Sequence, residues 1–143
     1  KARELGVPEG KLCGKLQRGE SVIVDGSSIE SSMVMGPRRV GRKLVYSGDT
    51  APNPELVELS RGADLLIHES TFLDDLAERA EEDGHTTALQ ASEIAKEAEV
   101  KQLVLTHISS RYPDPVVVLD EAKGVFENVV VAEDFLELNL ELD

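Results

Sequence analysis

Three short apolar runs in this chain stop on the same kind of residue: "KLVYSGDT" reaches Asp49, "DLLIHEST" reaches His68 and Glu69, and "QLVLTHIS" reaches His107. Carboxylates and imidazoles are the side chains that move protons or ligate metals near neutral pH. A lone Asp or His after a strand ordinarily caps a loop. Three such endings in one small domain predict a shared site, because functional groups in helix-layered sheets collect where strands stop. The remaining histidine, His85, stands in "EDGHTTALQ" directly before a capping sequence, so the helix start fixes its place. Held there beside carboxylates, it suits a proton donor. A structural zinc takes four protein ligands and a catalytic one three plus water. Asp49, His68, His85 and His107 are suitable types, but no two of them stand at a His-x-His spacing. The residues alone predict a hydrolase-like α/β domain and leave its metal dependence open.

The elements that must position these groups follow from patterning. Glycines and a proline interrupt residues 1–20, which predicts a loop with one short helical turn around Leu12–Gln17 and no part in a core. "SVIVDGSSIESSMVMGP" reads as a hairpin turning at Asp25-Gly26. A strand is expected over Lys43–Ser47, then a helix with Asn53 as N-cap, Pro54 in its first position and Gly62 as its stop. "DLLIHES" is a strand, and "FLDDLAERAEEDG" a helix or ordered loop closed by Gly84. Thr87 and Gln90 make a capping box for a helix whose Leu89, Ala91, Ile94, Ala95 and Ala98 fall near one face. "KQLVLTHIS" is a strand. "DPVVVLDEAKGVFEN" is a helix capped by Asp114, despite its β-branched start, and "VVVAEDFLELNLELD" provides one or two closing strands. Alternating strands and helices predict an α/β fold, with no repeat and no interdomain linker.

Composition excludes several functions. The single cysteine, Cys13, forbids an internal disulfide and a cysteine-built zinc site. No apolar run reaches the roughly 20 residues that span a bilayer, so a cytoplasmic protein without membrane partners is expected. The net charge of −13 opposes phosphate binding, but it is uneven. Residues 1–43 carry +4, residues 44–113 carry −9 and residues 114–143 carry −8. Arg38, Arg39, Arg42 and Lys43 form a basic cluster suited either to RNA phosphates or to a solvated loop. Without Trp, and with three Phe and two Tyr, a base-stacking platform is not expected.

In their order and separations, "YSGDT", "LIHESTF", "DGHTTALQASEIAKEA" and "LVLTHISSRY" resemble the C-terminal half of ribonuclease Z, the tRNA 3′-processing endonuclease family of the metallo-β-lactamase fold. "VPEGKLCGKLQRGESV" and "GRKLVYSGDT" extend the likeness over nearly the whole chain. The resemblance implies half of an αββα sandwich, a mixed β-sheet with helices on its outer face. It implies two zinc ions in the complete enzyme, bridged by Asp49 and with His107 as a terminal ligand of one of them. It further implies His85 as the catalytic histidine, Glu69 as the acidic residue that orients it, and Arg111, Ser109 and Tyr112 as the group near the scissile end of the RNA. The Pro8–Gly19 loop resembles the segment near the tRNA 3′ end. Precursor tRNA is the implied substrate.

The family's His-x-His-x-Asp-His signature does not occur here, and His68, His85 and His107 are the only histidines. Residues 1–143 are therefore expected to be the C-terminal half of a metallo-β-lactamase-like domain, inactive alone. The chain is expected to pair as a homodimer or with the missing N-terminal half. Two other expectations stand beside this one: another phosphodiesterase or hydrolase of the same fold, or a non-catalytic half-domain that needs a partner half.

Overall fold

The computed structural model describes residues 1–36 and 41–140. The chain divides into two compact units, residues 1–40 and 41–143, which are taken in turn. Arg38 and Arg39 of the expected basic cluster, and the last three residues of the expected closing segment, lie outside the described residues.

The first unit holds helix α1 (Lys11–Gln17), the hairpin β1 (Val22–Val24) and β2 (Ser27–Ile29), and a short helix α2 (Ser31–Val34). The strands pair antiparallel with Val22 opposite Ile29. Asp25 at φ 48° and Gly26 at φ 79° supply the two left-handed positions that a tight hairpin turn requires. Two expectations are corrected here. The residues after Ile29 coil into α2 instead of prolonging the strand, with the Ser31 hydroxyl bonded to the Leu16 carbonyl at 2.6 Å. Residues 1–20 also contribute to a core, because Val7 and Leu16 are buried with Val22 and Ile29 in a cluster belonging to this unit.

In the second unit β3 (Leu44–Tyr46), β4 (Leu65–Glu69), β5 (Leu103–Thr106) and β6 (Val129–Val131) lie side by side in that order, every pair parallel. Among the described residues, the antiparallel pairing expected of a mixed sheet is confined to the hairpin of the first unit. Helices α3 (Pro54–Ser60), α4 (Ala77–Asp83), α5 (Ala88–Glu97) and α6 (Val116–Lys123) are the connections. Their starts obey local chemistry. The Asn53 side chain accepts the Leu56 N–H at 2.8 Å, and Thr87 and Gln90 close a full capping box. The last helix departs from the expectation: its N-cap is Pro115 and not Asp114, with no side-chain cap, although the Asp114 carboxylate takes the Val116 N–H at 3.0 Å. The core joins Val57, Ala91, Ile94, Ala95, Val118 and Ala122 of these helices to Val45, Leu66, Leu103, Leu105 and Val129 of the strands. Small alanines along α5 let it lie close to the sheet. One closing strand forms, and residues 132–140 contain none.

Asp64 pins β3 at the sheet edge. Its carboxylate accepts the Lys43 N–H and the Lys101 ammonium, each at 2.8 Å, with Arg42 at 3.8 Å. The Lys101 and Lys43 hydrogen bonds hold its pKa below the ordinary value against the opposing effect of burial. A depressed carboxylate stabilises the fold above its unfolded pKa, about 3.9, and that contribution disappears as pH falls through the folded value. Asp64→Asn is expected to unfold at a lower temperature than the wild type at pH 7. The gap should close as pH falls below about 4, as read by thermal unfolding across pH.

Candidate active site

Because β3, β4 and β5 are parallel, their C-terminal ends open on one edge of the sheet, which brings Asp49, Glu69 and His107 together. His85 arrives from the loop between α4 and α5, where its N–H bonds the Ala80 carbonyl at 2.8 Å. His68 is not at this edge site. Strand alternation turns it, with Leu66, toward the helices, where it is fully buried.

Glu69 is the centre of the arrangement and is wholly buried. Its Oε1 accepts the Thr50 N–H at 2.9 Å and faces His85 Nδ1 at 2.8 Å. Its Oε2 accepts the Thr71 N–H at 3.2 Å, the Thr71 hydroxyl at 2.7 Å and the Thr86 N–H at 3.1 Å. Burial alone would raise the carboxyl pKa, but the hydrogen bonds from Thr71, His85, Thr50 and Thr86 outweigh it and hold the group ionised.

An ionised Glu69 orders the protons around it. A carboxylate only accepts, so His85 Nδ1 carries a proton and the Thr71 hydroxyl spends its own on Oε2. His107 Nδ1 stands 2.8 Å from the same hydroxyl and must therefore donate to it. Both imidazoles thus direct Nε2 away from the carboxylate. His107 Nε2 lies 3.4 Å from Asp49 Oδ2, and both side chains are about half exposed. The His85 and His107 rings stack at 5.2 Å, and Phe72 meets His85 edge-on at 6.0 Å. His107 adopts φ 53°, a left-handed conformation uncommon outside glycine.

Glu69, His85 and His107 each bring a ligating atom within 4.8 Å of the others and form a candidate metal-binding group. The family described as "Beta-lactamase superfamily domain" matches residues 26–108, more than half of the chain. The chain belongs to the β-lactamase superfamily. Within that superfamily it is a homologue of ribonuclease Z. It is 51% identical over 142 residues to the "Ribonuclease Z" of Archaeoglobus fulgidus, covering 99% of this chain and 46% of the relative. With that of Methanosarcina acetivorans it shares 54% over 141 residues, 98% of this chain and again 46% of the relative. The crystal structure of human tRNase Z, short form, matches with a TM-score of 0.56 at 33% identity, over 80% of this chain and 37% of that one. The chain spans about half the length of the curated relatives it matches.

The other residues expected at the site of this ribonuclease Z homologue lie in the loop after β5. The Arg111 guanidinium stacks on the Phe72 ring at 4.8 Å and its Nε donates to Ser109 Oγ at 3.0 Å. The Tyr112 hydroxyl accepts the Leu73 N–H at 3.0 Å, and its ring packs against the main core. Lys43 of the basic cluster places its ammonium on the Arg61 carbonyl at 2.9 Å. Residues that pattern reading passes over carry much of the geometry: Thr71 links Glu69 to His107, Thr50 and Thr86 contribute main-chain N–H groups, and Phe72 packs between Arg111 and His85. The one sequence signal for them was proximity to the acidic and histidine motifs.

Proposed function

We propose that this chain carries the C-terminal half of the active site of a zinc-dependent endoribonuclease that removes the 3′ trailer from precursor tRNA. The observation that carries the metal reading is the pairing of His107 Nε2 with Asp49 Oδ2 at 3.4 Å. Two ligands of one tetrahedral zinc, each about 2.1 Å from it, stand about 3.4 Å apart. The donor set fits, with an imidazole whose Nδ1 is fixed by a threonine hydroxyl and a solvent-facing carboxylate. Glu69 fits less well as a ligand, since five hydrogen bonds already engage its two oxygens. Asp49 and His107 therefore face zinc, while Glu69, Thr71 and His85 form the proton-handling side. When bound, zinc supplies Lewis-acid activation of water and neutralises charge on the phosphoryl group.

Hydrolysis breaks the bond to the 3′ oxygen of the tRNA body and leaves a 5′ phosphate on the trailer. The leaving alkoxide is a strong base and needs a proton. His85 provides it from Nε2, the ring atom that Glu69 does not occupy, and Glu69 balances the charge the ring carries beforehand. Arg111, held by Phe72 and Ser109, offers a guanidinium to a neighbouring phosphate. The test joins this chain to the matching N-terminal part of the Archaeoglobus fulgidus relative and supplies precursor tRNA and a small phosphodiester. Zinc-dependent trimming of the tRNA at its 3′ side supports the reading. Hydrolysis of the small ester alone would favour another phosphodiesterase of the fold, and zinc uptake with neither activity a non-catalytic half-domain.

Leu44 and Tyr46 on edge strand β3 are more than half exposed, a poor end state for a sheet face. The chain by itself is inferred to cover them as a homodimer, or with the N-terminal half of the fold. Sedimentation showing a monomer at micromolar concentration would count against the pairing. Among the described residues no helix is long and apolar enough to cross a membrane. The cytoplasmic location rests on the proposed precursor tRNA substrate alone.

A further inference from the structure

His68 is an odd occupant of a core. It is fully buried, burial pushes its pKa down, and its Nε2 has no hydrogen-bond partner, a distinction shared only with Ser60 Oγ among the buried polar side-chain atoms of the described residues. An orphaned buried polar atom is destabilising, and a leucine would fill such a place without that cost. What the ring does instead is on its other side, where Nδ1 lies 2.7 Å from the Glu69 carbonyl oxygen. A carbonyl only accepts, so Nδ1 carries the proton.

The reason that carbonyl needs a donor lies in how β3 leaves the sheet. The Ser47 N–H bonds the Ile67 carbonyl at 2.9 Å, so Ile67 turns its main-chain groups toward β3, and Glu69, two residues on, turns its own the same way. At Gly48, with φ 63°, the chain swings out of the ladder and carries Asp49 to the site. Glu69 is left facing a strand that has departed. Two side chains replace it. Ser47 Oγ accepts the Glu69 N–H at 3.1 Å, while its own proton goes to the Gly48 carbonyl at 2.6 Å. His68 satisfies the carbonyl. On the far side the sheet continues, with the Ser70 N–H on the Thr106 carbonyl at 2.9 Å.

We propose that His68 is a positioning residue: its Nδ1–H stands in for the missing strand and holds the Glu69 peptide, so that the Glu69 carboxylate keeps its N–H partners and His85 while β3 diverges to deliver Asp49. The catalytic consequence rests on the function proposed above; the geometric claim does not. Ser47 is the second half of the same device.

The experiment compares His68→Leu, His68→Asn and Ser47→Ala in the full chain. The amide proton shifts of Thr50, Thr71 and Thr86 report the Glu69 carboxylate, thermal unfolding reports stability, and cleavage of precursor tRNA in the fusion described above reports function. His68→Leu should move all three amide resonances and lower kcat about 10-fold or more, with KM within about twofold. Its unfolding midpoint should change little, because the loss of the orphaned Nε2 offsets the Glu69 carbonyl left without its donor. His68→Asn, whose amide can donate from near the place of Nδ1, should restore the resonances and most of the rate. Ser47→Ala should resemble His68→Leu in resonances and kcat. Wild-type resonances and kcat in His68→Leu would overturn the proposal, as would an asparagine variant no better than leucine. If the leucine variant does not fold, the asparagine variant decides on the same readouts. A wild-type fusion without activity on precursor tRNA would refute the proposed function and leave the amide resonances to decide the positioning.

Discussion

His85→Ala is expected to reduce single-turnover cleavage of precursor tRNA by about 100- to 10,000-fold, the usual contribution of a positioned general acid. The variant should keep its zinc. His85 meets Glu69 through Nδ1 and is about one-quarter exposed, so its removal opens a pocket of solvent without stranding a buried charge. Glu69 retains three N–H donors and the Thr71 hydroxyl after the change. A substrate with a good leaving group in place of the 3′ oxygen needs no proton, and the deficit should shrink with it. An equal deficit on both substrates would remove His85 from the leaving-group side.

Glu69→Gln is expected to damage the fold almost as much as Glu69→Ala. The two oxygens accept from opposite sides, Oε1 from Thr50 and His85, and Oε2 from Thr71 and Thr86. A glutamine must turn an NH2 toward one of those sets, setting donor against donor. Each stranded buried N–H costs about 1–3 kcal/mol, so a loss of about 3 kcal/mol or more is expected in urea unfolding. The usual conservative substitution for a carboxylate is thus severe here. A glutamine variant within about 1 kcal/mol of the wild type would mean that the segments carrying Thr50, Thr71 and Thr86 are held by something other than Glu69.

What the chain declares openly is what depends on neighbours in sequence. Asp25-Gly26 makes its hairpin turn, Asn53 and Thr87 cap their helices, and Asp49, Glu69 and His107 end their strands, because turns, caps and apolar runs are settled within a few residues. The likeness of four motifs to ribonuclease Z then pointed to the family. Groups that meet only through topology were not legible. Thr71 serves His107 from 36 residues away, and Thr86 serves Glu69 from 17. His68 and Glu69 are adjacent in sequence, and strand alternation alone separates a core imidazole from a site carboxylate. Leu16 and Val7 escaped notice as core residues because glycine and proline dominate their surroundings, while burial depends on the hairpin they pack against.

The central claim is the division of labour between His107, which faces zinc with Asp49, and His85, which faces the leaving group with Glu69. It is tested most directly by zinc titration of His107→Ala and His85→Ala side by side, in the fusion that supplies the N-terminal half. The predicted result is a zinc affinity at least about 10-fold weaker for His107→Ala and unchanged for His85→Ala. Equal losses in the two variants would contradict it and place the metal among Glu69, His85 and His107 instead.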